Sequence, residues 1–406
     1  MPSTLPDGAP APPDGRLPPA SRDQLGTVPL GIYVHVPFCA TRCGYCDFNT
    51  YTAVELGSGA SRDSYAGLAV AEVRLAREVL GPTAPAVSTV FFGGGTPTLL
   101  PPRDLGQILA AIDAEFGLAD GAEVTTEANP DSVDERSLAQ LRETGFTRIS
   151  LGMQSAAEHV LAVLDRSHSP GRAEQCVAWA RAAGFAHVSL DLIYGTPGES
   201  AADWERSVRS AIEAGPDHIS AYALTVETGT RLAARVRRGE LAPPDDDDMA
   251  DRYLAADELL ASAGMRWYEI SNWAAGPASA CRHNLLYWSG GNWWGVGPGA
   301  HSHVGGTRWW NVRHPAAYAS RIGAAASPGQ AREVLTSAER RTEQIMLETR
   351  LASGCRIAAL SPAGRRAAAI AVQDGLAEPD AFVAGRVVLT PAGRLLADAV
   401  IRGLTE

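Results

Sequence analysis

The chain has 406 residues, of which 45% are hydrophobic and 20% charged, and its formal net charge at pH 7 is −11. This composition is typical of a globular protein of about two or three domains. An acidic chain lacks the basic face that binds a phosphate backbone, so we expect no nucleic acid partner. None of its basic residues is a lysine, which excludes a Schiff base with a carbonyl substrate or with pyridoxal phosphate.

The cysteines and the N-terminal sequence indicate the compartment. Three of the six cysteines lie within eight residues and the others are scattered, which favours a reducing compartment and one metal site over a disulfide framework. The N-terminus lacks the charged and apolar segments of a signal peptide, and no apolar run approaches the roughly 18 residues of a membrane span. We expect a cytoplasmic protein whose membrane contact is at most peripheral.

Two segments of different character open the chain. Residues 1–27 are rich in Pro, Gly, Ser and Asp, and they carry almost no large apolar residues. Such a segment buries too little surface to offset its ordering entropy, so we predict that it is disordered. From residue 28 onward, apolar runs alternate regularly with amphipathic stretches.

This alternation predicts the fold. The apolar runs predict strands at residues 32–36, 87–92, 122–126, 148–152, 188–194 and 219–226. The stretches between them predict helices at residues 65–80, 104–116, 134–144, 172–183 and 203–214. Strands that alternate with helices of this length indicate βαβ units and a parallel sheet. Six units are fewer than the eight of a closed barrel, so we predict an α/β fold with a partial (β/α)6 barrel over residues 28–265.

Two further regions follow the predicted barrel. Residues 266–330, which we interpret as a linker region, are dense in His and aromatic residues, with seven of the nine tryptophans between positions 267 and 310. Composition leaves open whether they form a wall for a large flat ligand or an inter-domain packing layer. Residues 331–406 predict three helices and a short β-ribbon, a small α+β domain that is winged-helix-like and either structural or partner-facing.

A cysteine motif ends the first apolar run. Cys39, Cys43 and Cys46 have the spacing C-x3-C-x2-C, and no fourth Cys or His follows closely. Both a fully ligated iron–sulfur cluster and a tetrahedral zinc site need four ligands. The motif therefore favours a 4Fe–4S cluster with one iron open to another ligand. A zinc site completed by the distant Cys176 or Cys281, and three buried structural thiols, are the alternatives.

Unusual residues also follow the next predicted strands. The second strand leads into three consecutive glycines at positions 93–95, and Glu127, Gln154 and Asp191 stand at or near the ends of the third, fourth and fifth. Parallel α/β sheets bind ligands at this edge, and adjacent glycines expose their backbone to a small polar ligand. A tight turn and solvated loop residues are the ordinary explanations, but the repeated position on successive strands favours one shared site.

The cysteine motif, with Tyr45 before its last cysteine, and the Gly-Gly-Gly-Thr-Pro sequence one βα unit later resemble the radical S-adenosylmethionine superfamily. The resemblance implies that the three cysteines bind a 4Fe–4S cluster. It also implies that the amino and carboxylate groups of S-adenosylmethionine chelate the fourth iron.

Three stretches, which contain Tyr33, Gln154 and Asp191, narrow the resemblance to the oxygen-independent coproporphyrinogen III oxidases and their relatives, over about residues 28–405. The assignment of Arg166 rests on this resemblance alone. The positions that match the S-adenosylmethionine contacts of this group are Tyr33, Tyr45, Gly94, Gly95, Thr96, Glu127, Gln154, Arg166 and Asp191.

Two features separate the branches of this group. The oxidases carry another cysteine two residues after the third, where this chain has Phe48. The His-Asn-x-x-Tyr-Trp motif of the heme chaperone branch matches His283, Asn284, Tyr287 and Trp288. The resemblance thus implies a non-enzymatic heme chaperone that passes heme to acceptor proteins, respiratory ones among them. A porphyrinogen-oxidising enzyme is the alternative.

The same motif supplies the expected heme site. His283 is the candidate axial ligand, Asn284 a nearby hydrogen-bonding group, and Tyr287 and Trp288 two flat faces for the macrocycle. Cys281 is a further candidate, as a thiolate ligand or a covalent attachment point, and the sequence leaves both open. The resemblance also allows a homodimer.

Overall fold

The structure is a computed structural model that describes residues 6–56 and 61–406. The described strands are β1 (Ala9–Pro10), β2 (Leu30–Val36), β3 (Val87–Gly94), β4 (Leu118–Ala128), β5 (Arg148–Gln154), β6 (His187–Tyr194), β7 (His218–Ala223), β8 (Arg266–Glu269), β9 (Asn272–Ala274), β10 (Asn292–Val296), β11 (His301–Val304), β12 (Thr307–Asn311), β13 (Gly329–Val334), β14 (Cys355–Arg356) and β15 (Arg386–Val387). The described α-helices are α1 (Pro19–Arg22), α2 (Arg62–Leu80), α3 (Pro102–Phe116), α4 (Glu135–Glu143), α5 (Glu158–Val163), α6 (Arg172–Ala182), α7 (Ala201–Glu213), α8 (Arg231–Arg237), α9 (Asp246–Ser262), α10 (Arg282–Trp288), α11 (Pro315–Gly323), α12 (Ser337–Glu348), α13 (Pro362–Gln373), α14 (Pro379–Val383), α15 (Pro391–Leu395) and α16 (Ala397–Thr405).

One mixed sheet of 13 strands organises the molecule, in the order β1-β13-β12-β11-β10-β2-β3-β4-β5-β6-β7-β9-β8. Strands β2 to β7 are parallel neighbours in chain order, with helical crossovers between them, as the sequence predicts. Their apolar character follows from burial on both faces. The predicted α/β fold is confirmed, and its strands and helices begin and end within a few residues of the predicted positions.

Local signals fix the ends of the crossover helices. At the start of α2, the Ser61 side chain accepts a hydrogen bond from the Ser64 backbone N–H, and the Ser64 side chain accepts one from the Ser61 backbone N–H, which is a capping box. At the other end, Gly81 has φ +81°, a conformation that ends a helix without the strain a Cβ atom would add. These ends set the lengths of the connections back to the sheet.

The interpretation of residues 266–330 as a linker is wrong. Strands β8 and β9 extend the sheet beyond β7, and β10 to β13 extend it beyond β2. Strand β10 is parallel to β2 and places Trp294 opposite Ile32. Trp273 is 0% exposed and Trp294 is 2% exposed. These indoles pack inside the main core, so part of the aromatic density of this region completes the sheet.

The prediction that the N-terminal segment is disordered is also wrong for residues 6–27, whereas positions 1–5 lie outside the described residues. Strand β1 pairs antiparallel with β13, so that Ala9 lies opposite Arg332. Ser21 is buried, and its hydroxyl group hydrogen-bonds with Thr307 Oγ1 at 2.7 Å. The partners of this segment lie about 300 residues away, which the local composition does not reveal.

The C-terminal part combines helices α12 to α16 with the two-stranded ribbon β14–β15. It has its own core, which includes Ile345, Leu360 and Val387. The predicted boundary at residue 331 falls inside β13, and the predicted last helix is divided at Leu396 into α15 and α16. The likeness to a winged helix stays a prediction. Within the described ranges, no helix has the length and apolar character that a membrane crossing requires.

Candidate functional site

A cavity of about 490 Å³ lies at the carboxyl ends of the parallel strands. The three cysteines of the motif line it together with eight of the nine predicted S-adenosylmethionine residues, namely Tyr45, Gly94, Gly95, Thr96, Glu127, Gln154, Arg166 and Asp191. The ninth, Tyr33, does not line the cavity. Its ring packs on Phe91, which does. The topology therefore brings together residues that are 150 positions apart.

Backbone contacts hold the cysteine loop, residues 37–50, against the glycine loop, residues 93–96. The Thr96 N–H donates a hydrogen bond to the Phe38 carbonyl at 2.7 Å. A Cβ atom on Gly95 would lie 2.4 Å from the same carbonyl oxygen, so only glycine permits this approach. Cys39 N donates to Tyr51 O at 3.0 Å. These contacts place the first thiol beside the end of β3.

A side-chain contact ties the other end of the cysteine loop to a distant part of the chain. Asn49 is 3% exposed, and its Nδ2 donates to Pro298 O at 3.0 Å and to Arg313 O at 2.9 Å. His35 Nε2 hydrogen-bonds with the Asn49 carbonyl at 2.9 Å. The segments after β10 and β12 therefore support the cysteine loop.

The thiols differ from exposed cysteines in their electrostatics. Burial raises the pKa of Cys39 and raises that of Cys46 to about 11, so both groups hold their protons at neutral pH. Metal binding has to displace these protons. Arg166 approaches from across the cavity, with Nη1 3.5 Å from Cys43 Sγ and Nη2 donating to Gly152 O at 2.8 Å.

The two distant cysteines of the zinc alternative contact other groups. Cys176 is fully buried in α6 and its Sγ contacts Pro130 O, whereas Cys281 Sγ contacts Glu123 Oε1 at 3.6 Å. Across residues 6–56 and 61–406, no group of three or more His, Cys, Asp or Glu side chains is placed to hold a single metal ion.

Two acids line the cavity, Glu127 on β4 and Asp191 on β6. Glu127 Oε2 accepts a hydrogen bond from Gly94 N at 3.1 Å, and both Asp191 oxygens accept from Ser150 Oγ, at 2.9 and 2.8 Å. Burial and the nearby Asp191 charge raise the pKa of Glu127 to about 8, and burial raises the pKa of Asp191. Buried carboxyl groups of this kind suit a ligand that supplies an ammonium group or hydroxyl donors.

Helix α10 lies between two cavities. Cys281 and Asn284 line the first cavity, which the cysteine motif also lines. Asn284, Tyr287 and Trp288 line a second cavity of about 340 Å³. Asn284 and Tyr222 belong to both linings, so the cavities adjoin at these two residues. We call the second cavity the α10 groove.

His283 lines neither cavity. It is 1% exposed, with Nδ1 2.8 Å from Thr89 Oγ1 and Nε2 2.9 Å from the Tyr287 hydroxyl group. Burial lowers its pKa to about 3, so the imidazole is neutral. Binding to iron through Nε2 requires the Tyr287 hydroxyl group to move away. The role of His283 as a heme ligand therefore stays a prediction, and so does that of Cys281, whose thiol pKa burial raises.

Three comparisons place the chain among known proteins. The profile of the Radical SAM superfamily matches residues 33–211. The heme chaperone HemW of Mycobacterium tuberculosis is 54% identical over 376 residues, which cover 93% of this chain and 95% of that protein. This chain belongs to the HemW family. The HemW of Escherichia coli is 37% identical over 276 residues, which cover 68% of this chain and 70% of that protein.

A solved structure outside the HemW family has the same fold. The solved structure of coproporphyrinogen III oxidase (HemN) from Escherichia coli has a TM-score of 0.79 and 20% identity, and it covers 95% of this chain and 92% of that one. At this identity the likeness concerns the fold alone. The predicted membership in the heme chaperone branch is confirmed by the HemW relatives.

The radical SAM superfamily implies a 4Fe–4S cluster and S-adenosylmethionine, and the donor set of this HemW-family chain fits both. Three thiols line one cavity, and a glycine permits the close approach of their loop. Arg166 Nε is buried without a hydrogen-bond partner among the described residues. A buried guanidinium N–H without an acceptor favours a ligand that supplies one. The two acids offer acceptors on β4 and β6.

Sequence reasoning missed the inner end of the cavity in this HemW-family chain. We define the inner floor as four residues that line the cavity on the amino-terminal side of the predicted site, Thr125, Arg148, Ser189 and His218. Side chains two residues apart on a strand share a face. Thr125 precedes Glu127 by two residues, and Ser189 precedes Asp191 by two. The alternation along each strand could therefore have predicted these two cavity residues, which the strand ends alone did not.

Proposed function

We propose that this chain is a heme chaperone that holds a 4Fe–4S cluster with S-adenosylmethionine and binds heme beside α10 for transfer to acceptor proteins. The observation that carries the proposal is the position of Asn284. It belongs to the His-Asn-x-x-Tyr-Trp sequence and lies where the cysteine-lined cavity adjoins the α10 groove. A heme bound there would lie next to the cluster site.

The chain's own residues divide the work of binding. Cys39, Cys43 and Cys46 would hold the cluster, which when bound supplies an iron with one open coordination position. Glu127 and Asp191 would accept hydrogen bonds from S-adenosylmethionine, and Gly94, Gly95 and Thr96 would present their backbone to it. Gln154 and Arg166 would bind it from β5 and from the segment after α5.

The α10 groove suits a flat, largely apolar ligand. Tyr287 and Trp288 line it on α10, and Leu347 of α12 lines it from the C-terminal part. Aromatic rings stack on macrocycles and exclude water from them. Because α12 forms part of this lining, a heme in the groove would also contact the C-terminal part. That arrangement supports a transient cargo site that opens toward an acceptor.

Two residues are candidates for the ligand of the heme iron. His283 Nε2 becomes available when the Tyr287 hydroxyl group leaves it, while Thr89 Oγ1 continues to orient the ring through Nδ1. Cys281 is the second candidate and faces the cysteine-lined cavity. We propose His283 as the axial ligand, because its imidazole is neutral and its second nitrogen is already held.

The proposal extends to location and partners. We expect the chain to act in the cytoplasm and to deliver heme to acceptors that include respiratory proteins. The acceptors, a peripheral membrane contact and a homodimer rest on the resemblance to the heme chaperone branch.

Anaerobic reconstitution with iron and sulfide, followed by hemin titration, tests the proposal. About four irons and four sulfides per chain and a saturable Soret shift at one hemin per chain are expected. Cys39→Ala should lose the cluster. Cys355→Ala is the matched control, because Cys355 lies in the ribbon of the C-terminal part. Absence of saturable hemin binding would overturn the proposal.

The oxidase is the alternative with a distinct readout. Robust anaerobic conversion of coproporphyrinogen III to protoporphyrinogen IX by the reconstituted chain would favour it. Phe48, which occupies the position of the additional oxidase cysteine, is 45% exposed and lines the cavity mouth. We expect no such conversion.

A further inference from the structure

A buried arginine of the inner floor has one nitrogen without a partner. Arg148 is 1% exposed, its Nε donates to Glu123 Oε2 at 3.0 Å, and its Nη2 donates to two backbone carbonyls, at 2.8 and 3.2 Å. Nη1 is buried and has no partner among the described residues. A buried donor without an acceptor is destabilising, and more so when it is charged, which favours a ligand or a water molecule that supplies the acceptor.

Thr125 presents a second donor beside it. Thr125 and Arg148 are register partners on β4 and β5, and both line the cavity. The Thr125 hydroxyl oxygen is buried and, like Arg148 Nη1, has no hydrogen-bond partner within the described ranges. Two adjacent donors, one of them charged, suit a ligand group with two acceptor oxygens. A carboxylate has this form.

The charges around the inner floor also favour an anionic group. Glu123 does not line the cavity, and its carboxylate is already bonded, since its Oε1 accepts from His283 N at 3.0 Å and its Oε2 accepts from Arg148. Burial lowers the pKa of His218 to about 3, so its imidazole is neutral at pH 7. An incoming carboxylate at this end meets a guanidinium group and neutral donors.

We propose that Arg148 Nη1 and Thr125 Oγ1 bind a carboxylate of the tetrapyrrole cargo, a heme propionate, at the inner floor. This inference rests on the proposed heme chaperone function. Cys281 and Asn284 line the same cavity, so a macrocycle anchored at the floor would extend along the start of α10 toward the groove. The floor would thus orient the cargo and select carboxylate-bearing macrocycles over neutral ones.

Hemin and hemin dimethyl ester, titrated into the reconstituted chain, test the proposal without a mutation. Charge-assisted hydrogen bonds contribute about 1.5–3 kcal/mol, so hemin should bind about 10 to 100 times more tightly than the ester. Equal affinities would overturn the inference and leave the proposed function standing. Absence of binding by both would overturn the proposed function as well.

Substitutions test whether the inner floor causes the preference for hemin over its dimethyl ester. Thr125→Val should weaken hemin about threefold to tenfold and leave the ester unchanged. Thr126→Val is the matched control, because its buried hydroxyl group contacts the Glu127 carbonyl and Thr126 does not line the cavity. Arg148→Gln should reduce hemin affinity to that of the ester. Since it breaks the pair with Glu123, its circular dichroism is compared with that of the parent chain.

The carboxylate of S-adenosylmethionine is the other source of the same chemistry. Titration of S-adenosylmethionine into the reconstituted Thr125→Val variant separates the two sources. We expect its affinity to be unchanged. A loss of S-adenosylmethionine affinity with hemin affinity unchanged would assign the floor to that ligand and overturn the propionate site. If Arg148→Gln does not fold, the ester comparison and Thr125→Val decide the question.

Discussion

Glu127 Oε2 accepts a hydrogen bond from the Gly94 backbone N–H at 3.1 Å, which joins the end of β4 to the glycine loop at the end of β3. The contact holds a carboxyl group inside the cavity, where burial and the Asp191 charge raise its pKa to about 8. The group is therefore mostly protonated at pH 7. A cationic or hydrogen-bond-donating ligand would favour its ionised form.

Glu127→Gln tests this electrostatic account through the pH dependence of stability. An unfolded Glu titrates near its ordinary pKa of about 4.5, whereas folded Glu127 titrates at about 8. Between these values only the unfolded state loses the proton, so the free energy of unfolding falls as pH rises, by up to about 1.4 kcal/mol per pH unit. The variant lacks this contribution.

Urea unfolding from pH 5 to 8.5 measures the difference. The stability of Glu127→Gln relative to the parent chain should rise between pH 5 and 8 and then level off. Glu205→Gln, on the surface of α7, controls for the change of side chain itself. A pH-independent difference for Glu127→Gln would contradict the raised pKa.

Gly94→Ala should disrupt the glycine loop. Gly94 has φ +111°, and a Cβ atom there would lie 2.6 Å from the His35 ring. The left-handed conformation alone costs a residue other than glycine about 1–2 kcal/mol. We expect a lower melting temperature and an S-adenosylmethionine affinity reduced at least tenfold in equilibrium dialysis of the reconstituted chain.

Gly67→Ala is the matched control for this glycine. It lies within α2, and a Cβ atom there meets nothing within 4 Å. Alanine in a helix interior is more stable than glycine by about 0.5–1 kcal/mol. This variant should gain stability and bind S-adenosylmethionine unchanged. Equal behaviour of the two variants would contradict the role of Gly94.

Asn49→Asp should loosen the cysteine loop without changing a thiol. The substitution replaces the Nδ2 donor by an oxygen that faces the carbonyls of Pro298 and Arg313. Loss of these buried hydrogen bonds costs about 1–3 kcal/mol. We expect fewer irons per chain after reconstitution and faster loss of the cluster to a chelator. Full iron content with parent-like stability would contradict the supporting role of Asn49.

Substitutions of His283 and Tyr287 should have different effects on hemin binding. His283→Ala should weaken hemin binding and shift the Soret band, because it removes the proposed ligand. Tyr287→Phe removes the hydroxyl group that hydrogen-bonds with Nε2 and should preserve or strengthen hemin binding. His159→Ala, at a histidine whose side chain is 57% exposed, is the control. An unchanged Soret band in His283→Ala would assign the iron ligand elsewhere, with Cys281 the next candidate.

The sequence predicted those cavity residues whose positions follow from the pattern of strands and helices along the chain. Glu127 and Asp191 stand near the ends of strands with clear apolar patterns, and the structure places both at the cavity. Parallel strands share one carboxyl edge, so the pattern alone brought these residues together. Gln154 follows the same logic, although its φ of +64° and the irregular register after Gly152 were not visible in the sequence.

The residues that escaped prediction depend on distant contacts. Arg148 opens its strand and resembles a surface arginine until Glu123 and the backbone before α10 bury it. Residues 6–27 have a composition typical of disordered segments, yet Ala9 and Pro10 among them pair with a strand about 300 positions later. Conversely, His283 belongs to a motif that predicts a heme ligand, but in the structure both of its ring nitrogens hydrogen-bond with protein groups.

Heme transfer from the reconstituted chain tests the central claim most directly. The chain is loaded with one hemin under anaerobic conditions and mixed with an apo-globin, and the globin Soret band is followed alongside a coproporphyrinogen III assay of the same sample. The account predicts transfer of heme and no porphyrinogen conversion. Retention of hemin together with formation of protoporphyrinogen IX would contradict it.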